Sequence, residues 1–311
     1  MLGPLIGKLS DLGKEHFNAF RSKYGRSFQL RTGSYLLHIK GIPGSLWKRY
    51  EPLKPRPLRL LTAGVYPGNL IFDRAGNLYG STLDGGAYRN GLIYELAHTG
   101  NSWVKNTLYT FTGGTDGGGP TGMLAFDQAG NLYGTTYYVS TVFELTPSDG
   151  GWSETVIYSF NRPNDGFEPV GVFFDSSGNL YGPTMSGGSF GGGIVYELTP
   201  GDGSWTETML YNSTAPGGGG PETLVMSAAG DLFGTTEEGG GGFGNVFELT
   251  KENGGWQETD LHDFDFADGA YPSTNLVIDA GGNVIGGTVW GGNGNNCTPD
   301  DGCGVIWQIT P

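Results

Sequence analysis

Residues Asp73 to Gly86 read DRAGNLYGSTLDGG, and the chain says nearly the same thing four more times. DQAGNLYGTT starts at Asp127, DSSGNLYGPT at Asp175, SAAGDLFGTT at Ser227 and DAGGNVIGGT at Asp279. Anchored on the Gly-Asn/Asp pair, the copies fall at Gly76, Gly130, Gly178, Gly230 and Gly282, with steps of 54, 48, 52 and 52 residues. A period near 50 without helical patterning is the signature of propeller blades.

Each unit resolves into four short runs. The first follows a proline and alternates apolar residues, as from Pro120 to Asp127; the second is LYGTT, joined to it by a D-x-x-G-N turn. Asp caps the amides of such a turn and Gly supplies the positive φ. After a Gly-rich loop come LIYEL from Leu92, TVFELTP from Thr141, IVYELTP from Ile194, NVFELT from Asn245 and VIWQITP from Val305. The fourth run opens on tryptophan, at Trp103, Trp152, Trp205 and Trp256. β-Branched and aromatic enrichment with partial alternation marks half-buried antiparallel strands. The expected fold is all-β: a five-bladed β-propeller of four-stranded antiparallel blades. The fifth unit stops at Thr310-Pro311, just after its third run, while Trp47 to Leu53 and the run from Pro57 to Pro67 mimic the end of a unit. An N-terminal strand is therefore expected to close the last blade, which would leave only short, protected edges.

Charge divides the chain in the same place. Residues 1–60 carry 12 of the 17 Lys+Arg against Asp11, Glu15 and Glu51, a balance of +9; the remainder carries five basic and 28 acidic groups, a balance of −23. The expected organisation is a basic arm over 1–45, a short amphipathic helix (Leu2, Leu5, Ile6, Leu9, Leu12, Phe17, Phe20) or a disordered segment, followed by the repeat domain over 46–311. An acidic body repels nucleic acid and anionic membranes. No stretch reaches transmembrane length, and Lys8, Asp11 and Lys14 interrupt what would be a signal peptide's apolar run. The only cysteines are Cys297 and Cys303. They fit a local disulfide closing a loop in an oxidising compartment, with two free thiols as the alternative.

The repeated set P-x-x-x-L-x-x-D-x-x-G-N-L-Y-G-T-T, GG, V-F-E-L-T-P and W-x-E-T-x-L-Y-x-F resembles the GloVer-type tandem repeats of bacterial surface proteins that carry a variable choice of anchor. The resemblance covers residues 61–311. It implies a surface-displayed repeat protein, extracellular or at the cell surface, of undetermined activity.

Strand order confines the search for a ligand. In an up-and-down meander, the loops between second and third strands share one face with those linking successive blades. The linking loops place Asp116, Asp165 and Asp268 at equivalent positions, where D-G-x-x-P is also ordinary turn chemistry. The second-to-third loops differ most between copies and offer Asp84, Tyr88, Tyr137, Tyr138, Phe190, Glu237, Glu238, Phe243 and Trp290 as ligand-binding candidates. Aromatic faces stack on sugar rings while short polar groups bond hydroxyls. Loop packing is the competing role for each. The recurrent tryptophans read as packing between blades. Asp300 and Asp301, beside the cysteine loop, are the candidate calcium ligands; no other cofactor is implied.

Three functions fit. A module that binds a polysaccharide or a surface protein through one loop face, acting as a monomer and without nucleic acid, comes first. A structural spacer or adhesin repeat comes second. A glycoside-cleaving enzyme is third, resting on fold analogy and on the one-off acids Glu222 and Glu237; no Ser-His-Asp, Cys-His or HExxH arrangement appears. The expectation is a protein that is not an enzyme.

Overall fold

Apolar alternation broken by glycine turns produces five antiparallel sheets in chain order. The computed structural model describes residues 64–100, 102–161, 165–214, 220–252, 254–292 and 302–311, together with the backbone of Tyr35–Leu37 and Lys48–Tyr50. The chain divides into two units, 1–60 and 61–311. In the second, the first blade comprises Gly64–Phe72, Leu78–Gly85, Leu92–Thr99 and Ser102–Thr110. The second comprises Pro120–Phe126, Leu132–Thr136, Thr141–Ser148 and Gly151–Ser159. In the third, the innermost strand is split into Gly166–Pro169 and Phe173–Phe174, followed by Leu180–Gly187, Ile194–Pro200 and Trp205–Asn212. Pro221–Met226, Leu232–Thr236, Asn245–Glu252 and Gly255–Asp263 make the fourth. The fifth pairs Val277–Ile278, Val284–Gly287 and Ile306–Ile309. Each sheet is a meander whose neighbours are consecutive in sequence, and together they form a five-bladed β-propeller.

The segment expected to close the fifth blade, Trp47 to Leu53, lies largely outside the described residues. Its described part, Lys48–Tyr50, pairs antiparallel with Tyr35–Leu37. The amphipathic pattern over residues 2–20 also lies outside them.

Two repeated pairings explain why the motif reads as it does. At the D-x-x-G-N turn, Asp73 Oδ1 accepts from the amides of Ala75 and Asn77, both at 2.8 Å, and Oδ2 accepts from the Asn77 side chain at 2.9 Å. Asp175 repeats the arrangement, and Ser227 Oγ substitutes for it in the fourth copy. These acids belong to the fold. The second pairing joins the glycine of LYG to the aromatic of the third strand. Gly80, Gly134, Gly182, Gly234 and Gly286 lie directly opposite Tyr94, Phe143, Tyr196, Phe247 and Trp307. A Cβ on any of the five glycines would enter the facing ring. The missing side chain is the space the aromatic fills.

The core sits in the seams between blades. Phe111, Leu124 and Phe143 share one buried cluster between the first two blades; Val172, Leu180 and Tyr196 belong to the next, and Leu224, Leu232 and Phe247 to a third. Burying one such side chain contributes about 1.5–3 kcal/mol. Edge-to-face contacts stitch the seams, with Tyr79 4.9 Å from Phe126 and Tyr133 4.9 Å from Phe174. Trp152 and Trp205 lean on the same two tyrosines of the preceding blade, at 6.4 and 6.0 Å. Trp103 departs from this pattern: it is 39% exposed and edges onto His98 within its own blade. Threonine hooks tighten the centre. Thr135 Oγ1 accepts from the Gly171 amide of the next blade, and Thr235 Oγ1 donates to the Pro272 carbonyl. Between the first and fifth blades, Asn69 Nδ2 donates to Asn275 Oδ1 at 3.4 Å. At this seam Phe72 remains 66% exposed and Ile306 81% exposed.

Candidate ligand-binding face

Linking loops and second-to-third loops are hydrogen-bonded to one another, so they form one surface. Gly119 donates to the Asn90 carbonyl, Tyr137 to that of Gly119, and Tyr271 to that of Phe243. This surface also holds all six non-glycine residues with positive φ among the described residues: Tyr66, Arg89, Ser140, Glu168, Phe266 and Tyr271. Three of them share one place in the repeat. Tyr66 (φ 55), Glu168 (φ 60) and Tyr271 (φ 57) each precede the repeated proline of an innermost-strand run, where the second blade has Gly119 (φ 66). Such a conformation costs a bulky residue on the order of 1 kcal/mol or more. Among the described residues, the opposite face, made of D-x-x-G-N and pre-tryptophan turns, carries none.

The structure gathers some sequence candidates and separates others. At the first seam, Tyr138 donates to Asp84 Oδ1 at 2.7 Å, and the rings of Tyr137 and Tyr138 lie 6.0 Å apart. The Asp84 bond, then burial, raises the Tyr138 hydroxyl pKa. Near the last seam, Trp290 edges onto Tyr271 at 5.1 Å and Phe243 onto Phe266 at 5.6 Å. Tyr88 and Phe190 stand out as exposed loop aromatics, Phe190 at 62%. Tyr66, Phe266 and Tyr271 were missed from sequence, although their position before or near the repeated D-G-x-x-P loops was visible.

Linking-loop aspartates are occupied locally. Asp116 accepts from the Thr112 amide at 2.8 Å and the Tyr109 hydroxyl at 3.0 Å; Asp165 accepts from the Tyr158 hydroxyl at 2.9 Å. Asp268 contacts His262 Nε2 at 2.7 Å. Partial burial works against ionisation of Asp116, yet the bonds from Thr112 and Tyr109 hold it below the usual carboxylate range. Across the seam sits the glutamate of the next W-x-E-T. Burial, and then the Asp116 charge, push Glu154 up to about 7; Glu207 is raised by burial and Asp165.

Between the third and fourth blades the pattern breaks. The linking loop that starts at Ser213 has no aspartate at this place, and a cavity of about 650 Å³ opens beside Tyr211, Glu238, Asn245, Glu258 and Asp260, floored by Gly239–Gly242. Asn245 donates to Asp260. Burial first, and Asp260 second, push Glu258 up to about 7. A second cavity of about 330 Å³ lies where the innermost strands of all five blades converge, with Glu222 in its wall. Glu237 lies on the loop face rather than in this wall.

Cys303 is disulfide-bonded; Cys297, Asp300 and Asp301 lie outside the described residues. Among the described residues no group of three or more His, Cys, Asp and Glu is arranged to hold a metal, and no helix is long and apolar enough to cross a membrane.

Comparison with known proteins places these features in context. The family model for the Gloeobacter/Verrucomicrobia repeat matches residues 137–311. No curated protein sequence matches the chain. Among solved structures, virginiamycin B lyase from Staphylococcus aureus superposes with a TM-score of 0.52 at 16% identity, over 91% of this chain and 82% of that one. A streptogramin B lyase gives 0.51 at 16% identity, over 92% and 82%. An auxiliary nutrient-binding protein from Bacteroides ovatus gives 0.50 at 14% identity, over 70% and 55%. At these identities the likeness is one of fold.

Proposed function

Since the chain belongs to the Gloeobacter/Verrucomicrobia repeat family, we propose that it is a binding module, displayed outside the cell, that recognises glycans through its loop face. Lyases and a nutrient-binding protein share the fold, so fold alone does not choose between catalysis and recognition. The observation that carries the reading is that all six strained non-glycine residues among the described residues lie on the loop face, three of them, Tyr66, Glu168 and Tyr271, at one repeated place before the proline of an innermost-strand run. Backbone strain persists where the surrounding structure enforces it, and it concentrates at ligand sites. Aromatic planes at Tyr66, Tyr138 and Trp290, with Asp84, Glu238, Asn245 and Asp260 as hydroxyl partners, match the demands of a sugar chain. The disulfide at Cys303 suits an oxidising location.

The test is a binding screen of the full chain against bacterial, plant and host polysaccharides, with reducing-sugar release read from the same wells. Binding without release is expected. Tyr138→Ala and Trp290→Ala should each weaken it by about tenfold with an unchanged melt. Release that disappears in Glu222→Gln or Glu237→Gln would replace this reading with an enzyme; silence in both channels would leave a structural spacer.

A further inference from the structure

Glu222 breaks the repeat at its centre. It follows Pro221 at the head of the fourth blade's innermost strand, where the other blades place Gly68, Thr121, Val170 and Ser273 after their prolines. All five positions line the wall of the 330 Å³ cavity, and among the described residues Glu222 is the one charged residue in that wall. Neutral groups share the wall with it, among them Asn69, Thr121, Ser273 and Asn275, while the charge of Glu237 acts on it from the loop face. Its Oε2 is shielded from solvent and has no hydrogen-bond partner. Among the described residues no Lys, Arg or His lines the cavity; Lys105 lies over the Tyr94 ring and Lys251 over that of Trp256. A carboxylate taken out of water is costly unless it is paired.

We propose that the central cavity binds a small organic cation, seating a primary ammonium group against Glu222 and hydroxyls against the neutral groups around it, the chemistry of an amino sugar. The choice of a sugar frame rests on the glycan reading above; the ammonium–carboxylate pairing does not. An ammonium brings three donors to one carboxylate and several neutral acceptors. A divalent metal asks for six to eight oxygens, usually with more than one carboxylate, and this wall supplies a single one. The volume is at the lower end of the range for small-molecule sites, which suits a monosaccharide. A net charge of −14 concentrates cations around the molecule. Burial, and then the charge of Glu237, push Glu222 up to about 7, so the carboxyl is fully ionised only above neutrality unless a bound cation stabilises it.

The experiment is calorimetric titration of the full chain at pH 8 with glucosamine, glucose, N-acetylglucosamine, methylammonium and calcium chloride. Glucosamine should bind about tenfold more tightly than glucose or N-acetylglucosamine, and Glu222→Gln should remove that preference while melting at or above the wild-type temperature. Methylammonium competing for the site would show that the charge alone is read; its failure to compete alongside glucosamine binding would show that the hydroxyls are also read. Glucosamine binding should survive Tyr138→Ala and Trp290→Ala, which separates this site from the loop face. Equal affinity for glucose, unchanged glucosamine binding in Glu222→Gln, a calcium-driven rise in melting temperature that Glu222→Gln abolishes, or no binding of glucosamine would each overturn the proposal.

Discussion

Glu154, Glu207 and Glu258 occupy one place in three consecutive copies of W-x-E-T, and each faces an acidic neighbour across or along a seam. Glu154 and Glu258 hold a proton up to about 7, against 4.5 for the ordinary group. The native state thus binds protons more tightly than the unfolded chain in that window. Stability is greatest below the lower value, falls as pH rises through the window, and levels off above the higher one. Glu154→Gln and Glu258→Gln should therefore leave the melting temperature unchanged near pH 4 and raise it at pH 8. Both groups are partly open to water, so a screened gain on the order of 1 kcal/mol, about 2–4 °C, is expected for each. A melt whose response to either change is the same at both pH values would contradict the assignment. At this scale the sequence was half legible. Asp84 and Tyr138 stood in a loop that differs between copies, so they announced themselves. Glu258 and Asp260 did not, because they lie in a strand where the same positions are structural in neighbouring blades. Their cavity lies beside the linking loop that carries no aspartate.

Strands were the most readable level, because every run of the repeat has a physical partner. The glycine of LYG and the aromatic of the third strand are the clearest case. Gly134→Ala should cost about 2–3 kcal/mol, since its Cβ meets the fully buried Phe143 ring. Combined with Phe143→Leu, the loss should be smaller than the sum of the two single losses by about 1 kcal/mol, measured by chemical denaturation in a double-mutant cycle. Strict additivity would mean that the pair is not a unit. Gly130→Ala is the control: its Cβ meets nothing, so only the positive φ is penalised, at about 1 kcal/mol. What the repeat concealed was the exception. Trp103 occupies the same place as Trp152 and Trp205, yet it is 39% exposed and meets His98 of its own blade, a difference that no local motif records.

For the whole molecule, period and strand count led to the five-bladed ring, whereas the size of each cavity depends on which side chains meet between blades. The acidic surface of the second unit has a measurable cost. Raising salt from low ionic strength to about 0.5 M should screen that repulsion and raise the melting temperature; a fall would show that attractive pairs dominate instead. The seam between first and last blades carries a further consequence. Internal seams cover Phe126 and Phe174 with the tyrosine of the preceding blade, whereas Phe72 and Ile306 at the terminal seam stay open. In mechanical terms this joint is the weakest clasp of the ring: these two side chains keep more apolar area in water than their counterparts at internal seams, so hydrogen exchange should show the first and last blades opening before the others.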